Sequence, residues 1–113
     1  MKIIYNNIIP FRGFKAINIL GILFVRKAFK DRLTPVDINH EEIHTKQMKE
    51  LLYVGFYILY LFFWLRNLFK GDNKAYRNIK FEKEAYSNEN NLEYLSVRKK
   101  YAWRKYKCTI FDI

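Results

Sequence analysis

Thr34-Pro35-Val36-Asp37-Ile38-Asn39-His40-Glu41-Glu42-Ile43-His44-Thr45-Lys46-Gln47 is the stretch from which the fold of this chain is read. Thr34 is an N-cap residue type, Pro35 suits the first helical position, and Asp37 stands three residues past the cap. The pattern predicts a helix that runs through His40, His44 and Gln47 into Leu51. Residues four apart on a helix project from one face, so the imidazoles of His40 and His44 can grip one metal ion. Neutral imidazole nitrogens suit Zn2+. Glu41 points beside such an ion, where it can take a proton from a bound water and pass it to a leaving amine.

His40-Glu41-Glu42-Ile43-His44 is an HExxH sequence, and it uses the only two histidines of the chain. Chance places two histidines and a glutamate in this arrangement roughly once in a thousand chains of this composition. The competing reading is a pair of exposed or capping histidines on a charged helix. A catalytic zinc site has three protein ligands and leaves its fourth position to water. With no third histidine, the third ligand must be a carboxylate, and the best segment for it is Phe81-Glu82-Lys83-Glu84-Ala85-Tyr86. A helix cannot aim both Glu82 and Glu84 at one ion. Glu82, Tyr86 and Glu89 share a face and Glu84 points elsewhere. By residue type and spacing alone, either glutamate is as readily part of a solvated charged face.

His40–His44 followed by Gln47, with Glu82-Lys83-Glu84-Ala85 downstream, resembles the gluzincin class of zinc metallopeptidases. The likeness is nearest to small bacterial forms and to membrane-embedded peptidases whose third ligand opens a Glu-x-x-Ala-Asp pattern. That resemblance implies Glu82 as the third zinc ligand, Glu84 as second choice, Glu41 as the catalytic base, and a peptide or protein as substrate. Tyr86 stands where the family often has an Asp that holds a ligating histidine; its hydroxyl can orient His or stabilise an oxyanion. Tyr76, Tyr86 and Tyr94 are the tyrosines available to polarise the scissile carbonyl. The motifs cover about a fifth of the chain and leave residues 1–33 and the C-terminal tail unexplained.

Outward from the motif, Ala16 to Phe29 is rich in β-branched residues between Gly13 and Asp31, which favours one or two strands with a bulge or bend at Gly21. Leu51 to Leu65 is uncharged; as a helix it measures about 22 Å against a hydrocarbon core near 30 Å, marginal for a span. Full crossing would put His44 and Glu82 on opposite sides of a bilayer. One straight helix from Pro35 to Phe69 would be about 50 Å long and would set Glu82 beside residue 60 rather than His44. A shared site therefore requires the helix to bend near Gly55, or residues 66–81 to run back extended. A turn is expected around Gly71-Asp72-Asn73, and a second, polar helix from Ile79 or Phe81 to about Lys105, with Ala85, Leu92, Leu95 and Ala102 at helical spacing.

The expected fold is mainly α (α+β), a single zincin-like domain over residues 1–113: a short N-terminal β element, the HExxH helix, a long apolar helix and a C-terminal helix. One cysteine, Cys108, excludes an intrachain disulfide and a thiolate zinc site. The N-terminal residues lack the pattern of a cleavable signal peptide, because Tyr5-Asn6-Asn7 and Arg12 interrupt the apolar runs. A net charge of +10 seeks phosphate. The nearest basic cluster is Arg98, Lys99, Lys100, Arg104, Lys105 and Lys107, but no nucleic-acid motif accompanies it, so nucleic acid is not the expected partner. With 19% aromatic residues and an apolar segment greasy on all faces, the chain is expected to meet lipid or a second copy of itself as a homo-oligomer. The expected location is membrane-associated, otherwise cytoplasmic. Two rival readings are an inactive zinc-binding relative and a basic membrane-associated protein with a fortuitous HExxH.

Overall fold

The computed structural model describes residues 2–10, 14–71 and 74–106. Cys108 and Lys107, and Asp72 and Asn73 of the expected turn, lie outside the described residues. The fold is mainly α with a short N-terminal β element. Among the described residues, three strands form one sheet in the order β1-β3-β2 (β1 Lys2–Asn6, β2 Ala16–Ile19, β3 Ile22–Arg26). β3 is central: it pairs parallel with β1 and antiparallel with β2. Its alternate residues Leu23 and Val25 are fully buried, the period-two pattern of a strand covered on one face. β1 was not foreseen. The strand propensity of 16–29 is split by a hairpin turn at Leu20 and Gly21, both at positive φ as a two-residue hairpin loop demands. After Arg26 the chain leaves the sheet, and Lys27–Arg32 forms a 3-10 helix where strand had been expected up to Phe29.

The HExxH helix, α1, spans Pro35–Glu50. Thr34 accepts from the Asp37 amide, and Asp37 accepts from the Thr34 amide at 3.0 Å, closing a capping box. Lys15 adds a 2.7 Å ion pair to Asp37, and Asn18 of β2 donates to the Glu41 carbonyl and to Thr45 Oγ1, each at 3.0 Å. The sheet is thereby fixed along the side of α1 that carries the motif.

The apolar segment forms α2, Val54–Phe69, which leaves α1 at an angle of 109°. The break falls at Leu51–Tyr53, just before Gly55. Leu52 and Tyr53 both take positive φ, a costly conformation for side chains of this kind. The Tyr53 amide, donating to the Met48 carbonyl at 2.7 Å, ties off the end of α1. Gly55 serves the corner by its size: a Cβ there would come within 3.3 Å of Leu51 Cβ. The bend, rather than an extended return, resolves the distance problem posed by a straight helix. Phe56 points inward with Met48, Ile79, Phe81 and Trp103 to form the main core, against which Leu59, Tyr60 and Phe63 pack.

The polar segment after Ile79 is not one helix to Lys105. It is α3 (Lys80–Asn88), a single turn α4 (Tyr94–Val97) and a 3-10 turn (Ala102–Lys105). Helical spacing of Ala85, Leu92, Leu95 and Ala102 concealed the breaks. Asn39 on α1 donates to the carbonyls of Asn88, Glu89 and Asn91, stopping α3 and pinning its end against α1.

Candidate metal centre

α1 and α3 cross so that His40, His44 and Glu82, all buried, meet. His44 Nε2 lies 3.2 Å from His40 Nε2 and 3.1 Å from Glu82 Oε1, and His40 Nε2 lies 3.3 Å from the same oxygen. The three atoms form a nearly equilateral triangle. Zinc with ligands at about 2.0–2.1 Å demands a tetrahedron whose edges are about 3.3–3.4 Å, so the triangle matches one face of it closely. An ion held on this face would have its fourth corner open to a further ligand.

The histidines are oriented from behind. His40 Nδ1 lies 2.9 Å from Glu89 Oε2, and His44 Nδ1 lies 2.8 Å from Gln47 Oε1. Gln47 donates its amide to the Phe81 carbonyl at 3.0 Å and to Glu84 Oε1 at 2.9 Å, which fixes its oxygen toward His44. Both Nδ1 atoms then carry their protons outward, and both Nε2 lone pairs face Glu82. Three acceptors converging in a buried space repel one another unless a cation lies among them. In the metal-free protein a proton takes that part. Burial works against a charged His44, but the Glu82 carboxylate beside it more than compensates and raises His44 to about 9. Glu82 is likewise opposed by burial, and the two histidines, with Tyr60, hold it well below the usual carboxylate range.

Each expected site residue can now be placed. Glu82 is the third corner of the triangle. Glu84 is not: fully buried on the opposite face of α3, it accepts from Gln47, from Tyr94 Oη at 2.6 Å and from Arg98. Arg98 also forks onto Glu50, at 3.0 and 2.9 Å. Tyr94 is occupied there and stands away from the triangle. Tyr86 packs its ring edgewise on His40, at 4.6 Å between centroids, and carries the Arg77 guanidinium on its own ring. The acceptor behind His40 is therefore Glu89, one turn beyond Tyr86 on the face shared with Glu82, while Tyr86 meets His40 through its ring.

Glu41 borders the triangle without joining it and lines two clefts, one on each side. Burial raises its carboxyl above the usual range, although the histidine charges pull the other way. A raised carboxylate is a stronger base, the property a proton acceptor needs near neutral pH. The larger cleft has a volume of about 470 Å³. It runs between β2 and α2, over His44 and Glu82, with Ile17, Met48, Phe56 and Tyr57 among its mostly apolar walls.

Tyr60 is the site residue that sequence reasoning missed. Its hydroxyl donates to Glu82 Oε2 at 2.8 Å, leaving Oε1 for the triangle. Tyr60 was hidden in a stretch where every residue is apolar or aromatic. Only the bend between α1 and α2 brings it to Glu82. Tyr76 lines both clefts along with Glu41, and burial and the nearby Glu82 carboxylate push its hydroxyl pKa up. Comparison with protein-family models, curated proteins and solved structures finds no match to this chain.

Proposed function

We propose that this chain is a zinc-dependent peptidase of the gluzincin type, with His40, His44 and Glu82 as the zinc ligands and Glu41 as the base. The observation that carries the reading is the triangle of ligand atoms with edges of 3.1–3.3 Å, backed on each histidine by an acceptor that turns Nε2 inward. Zinc, when bound, supplies a Lewis acid that acidifies water and polarises a carbonyl.

The chain's own residues do the rest. Glu41 takes the proton of the water that attacks the carbonyl carbon and returns it to the departing amine as the C–N bond breaks, so no other proton source is needed. Glu89 and Gln47 keep the imidazoles from rotating, and Tyr60 holds Glu82 Oε2, which leaves Oε1 turned to the histidines. Of the three candidate tyrosines, Tyr76 is the one beside both Glu41 and the large cleft, and it is assigned the hydrogen bond to the carbonyl oxygen. Support for a peptide substrate comes from β2. It is an edge strand and borders the cleft, so its outer backbone can pair with an extended peptide.

The test is hydrolysis of a fluorogenic peptide library by zinc-loaded protein. Wild type should cleave, and Glu41→Gln should retain its zinc while losing at least about a hundred-fold in kcat. Zinc bound without turnover would leave an inactive zinc-binding relative; turnover untouched by Glu41→Gln would remove Glu41 from the chemistry.

A further inference from the structure

Among the described residues, none packs against the outer face of α2. From Val54 to Leu65 the helix carries no charged side chain. Its inner face meets the core through Phe56, Leu59, Tyr60 and Phe63, while Val54, Ile58, Leu61 and Leu65 are exposed, Ile58 by 63% and Leu61 by 53%. Leu20, at the tip of the β2–β3 hairpin, and Leu52, at the corner before α2, are exposed as well. The hairpin is fastened there by its Leu20 amide, which donates to Tyr57 Oη at 3.0 Å.

Two features of charge decide what covers such a face. Basic residues stand at both ends of α2: Lys46 and Lys49 at the corner, Arg66, Lys70 and Lys74 at the far end. A second copy of the chain would bring another +10 against the first, whereas an anionic lipid surface is attracted. At about 24 Å, α2 is too short to cross a bilayer of roughly 30 Å, but it suits lying in the headgroup region with one face buried.

We propose that α2 lies in the surface of an anionic bilayer by its Val54–Ile58–Leu61–Leu65 face, with Leu20 and Leu52 inserted beside it. The apolar surface continues through exposed Phe14, Ile17 and Tyr57 into the large cleft over His44 and Glu82. The cleft therefore opens at the membrane. Given the peptidase reading, on which this last step rests, the substrates are apolar peptide segments presented at the lipid surface rather than free polar peptides.

The experiment is co-sedimentation of Glu41→Gln protein with vesicles of phosphatidylcholine alone or containing phosphatidylglycerol, together with sedimentation equilibrium without lipid. Using the Glu41→Gln variant separates docking from hydrolysis, so failure of one leaves the other standing. Binding should require phosphatidylglycerol. Ile58→Asn and Leu61→Asn should each weaken it roughly ten-fold, since each removes a buried aliphatic side chain from lipid. Leu92→Asn, at an apolar residue 55% exposed and away from α2, should leave it unchanged. Should the α2 variants misfold, Lys46→Glu combined with Lys49→Glu must weaken binding in a folded protein. A dimer that ignores vesicles, or equal binding with and without phosphatidylglycerol, overturns the proposal. With zinc-loaded wild-type protein, hydrolysis of an apolar peptide that is equally fast with and without anionic vesicles overturns the substrate assignment.

Discussion

Arg98→Leu should be the most damaging single change outside the metal site. The Arg98 side chain is 5% exposed and joins Glu84, fully buried, to Glu50. Removing the cation leaves two carboxylates facing each other in a poorly solvated space. Glu84 keeps Gln47 and Tyr94 as donors and Glu50 keeps the Tyr101 amide, so the deficit is one of charge more than of hydrogen bonds. Breaking a buried pair from one side costs about 3–5 kcal/mol. Unfolding entropy near 2.1 cal/mol/K per residue, over 113 residues, is about 0.24 kcal/mol/K, so the melting temperature should fall by roughly 13–21 °C. The assay is thermal unfolding by circular dichroism in a chelator, which excludes stabilisation by metal. Adding Glu84→Gln to Arg98→Leu should recover about 1–2 kcal/mol, because the more deeply buried of the two uncompensated charges, and its repulsion with Glu50, is then gone. A shift under about 3 °C for Arg98→Leu, or no recovery in the double variant, would refute this account of the cluster.

Other outcomes follow from the same contacts. Glu89→Ala and Gln47→Leu should each lower zinc affinity about 10–100-fold, by chelator competition, without removing a ligand. Tyr76→Phe should reduce kcat about 10²–10³-fold with zinc content and KM little changed; an unchanged kcat would return the oxyanion role to another donor. For Asp37, partial burial works against the charge but is outweighed by Lys15 and the Thr34 cap, which depress its carboxyl. Its contribution is thus fully present above the unfolded value of about 3.9 and lost as pH falls through the lower folded value. Asp37→Ala should therefore cost about 1 kcal/mol at pH 7 and less at pH 2, read from melting curves at the two pH values.

The sequence disclosed the centre where local rules suffice. Thr34, Pro35 and Asp37 mark a helix start by capping chemistry alone, and His40 and His44 share a face on any helix from there. Glu82 rather than Glu84 was implied by a family pattern, and the crossing of α1 and α3 brings Glu82, not Glu84, to the histidines. Distance called for a bend near Gly55 or an extended return, and the bend is there, two to four residues before Gly55. Gly55 drew attention as a conformational signal, whereas Leu52 and Tyr53 carry the positive φ under tertiary constraint. Tyr60 and Glu89 could not be assigned from spacing, because each reaches the site through an angle between helices. The breaks in the segment after Asn88 were invisible for a similar reason: Asn39, far away in sequence, ends α3 there.

The central claim is that one zinc is held by His40, His44 and Glu82. The most direct measurement is zinc content by elemental analysis after loading and desalting. About one zinc per chain is expected in wild type, Glu41→Gln and Glu84→Gln, and none in His40→Ala, His44→Ala or Glu82→Ala. A wild type that retains no zinc, or a Glu82→Ala that retains it as tightly as wild type, would contradict the account.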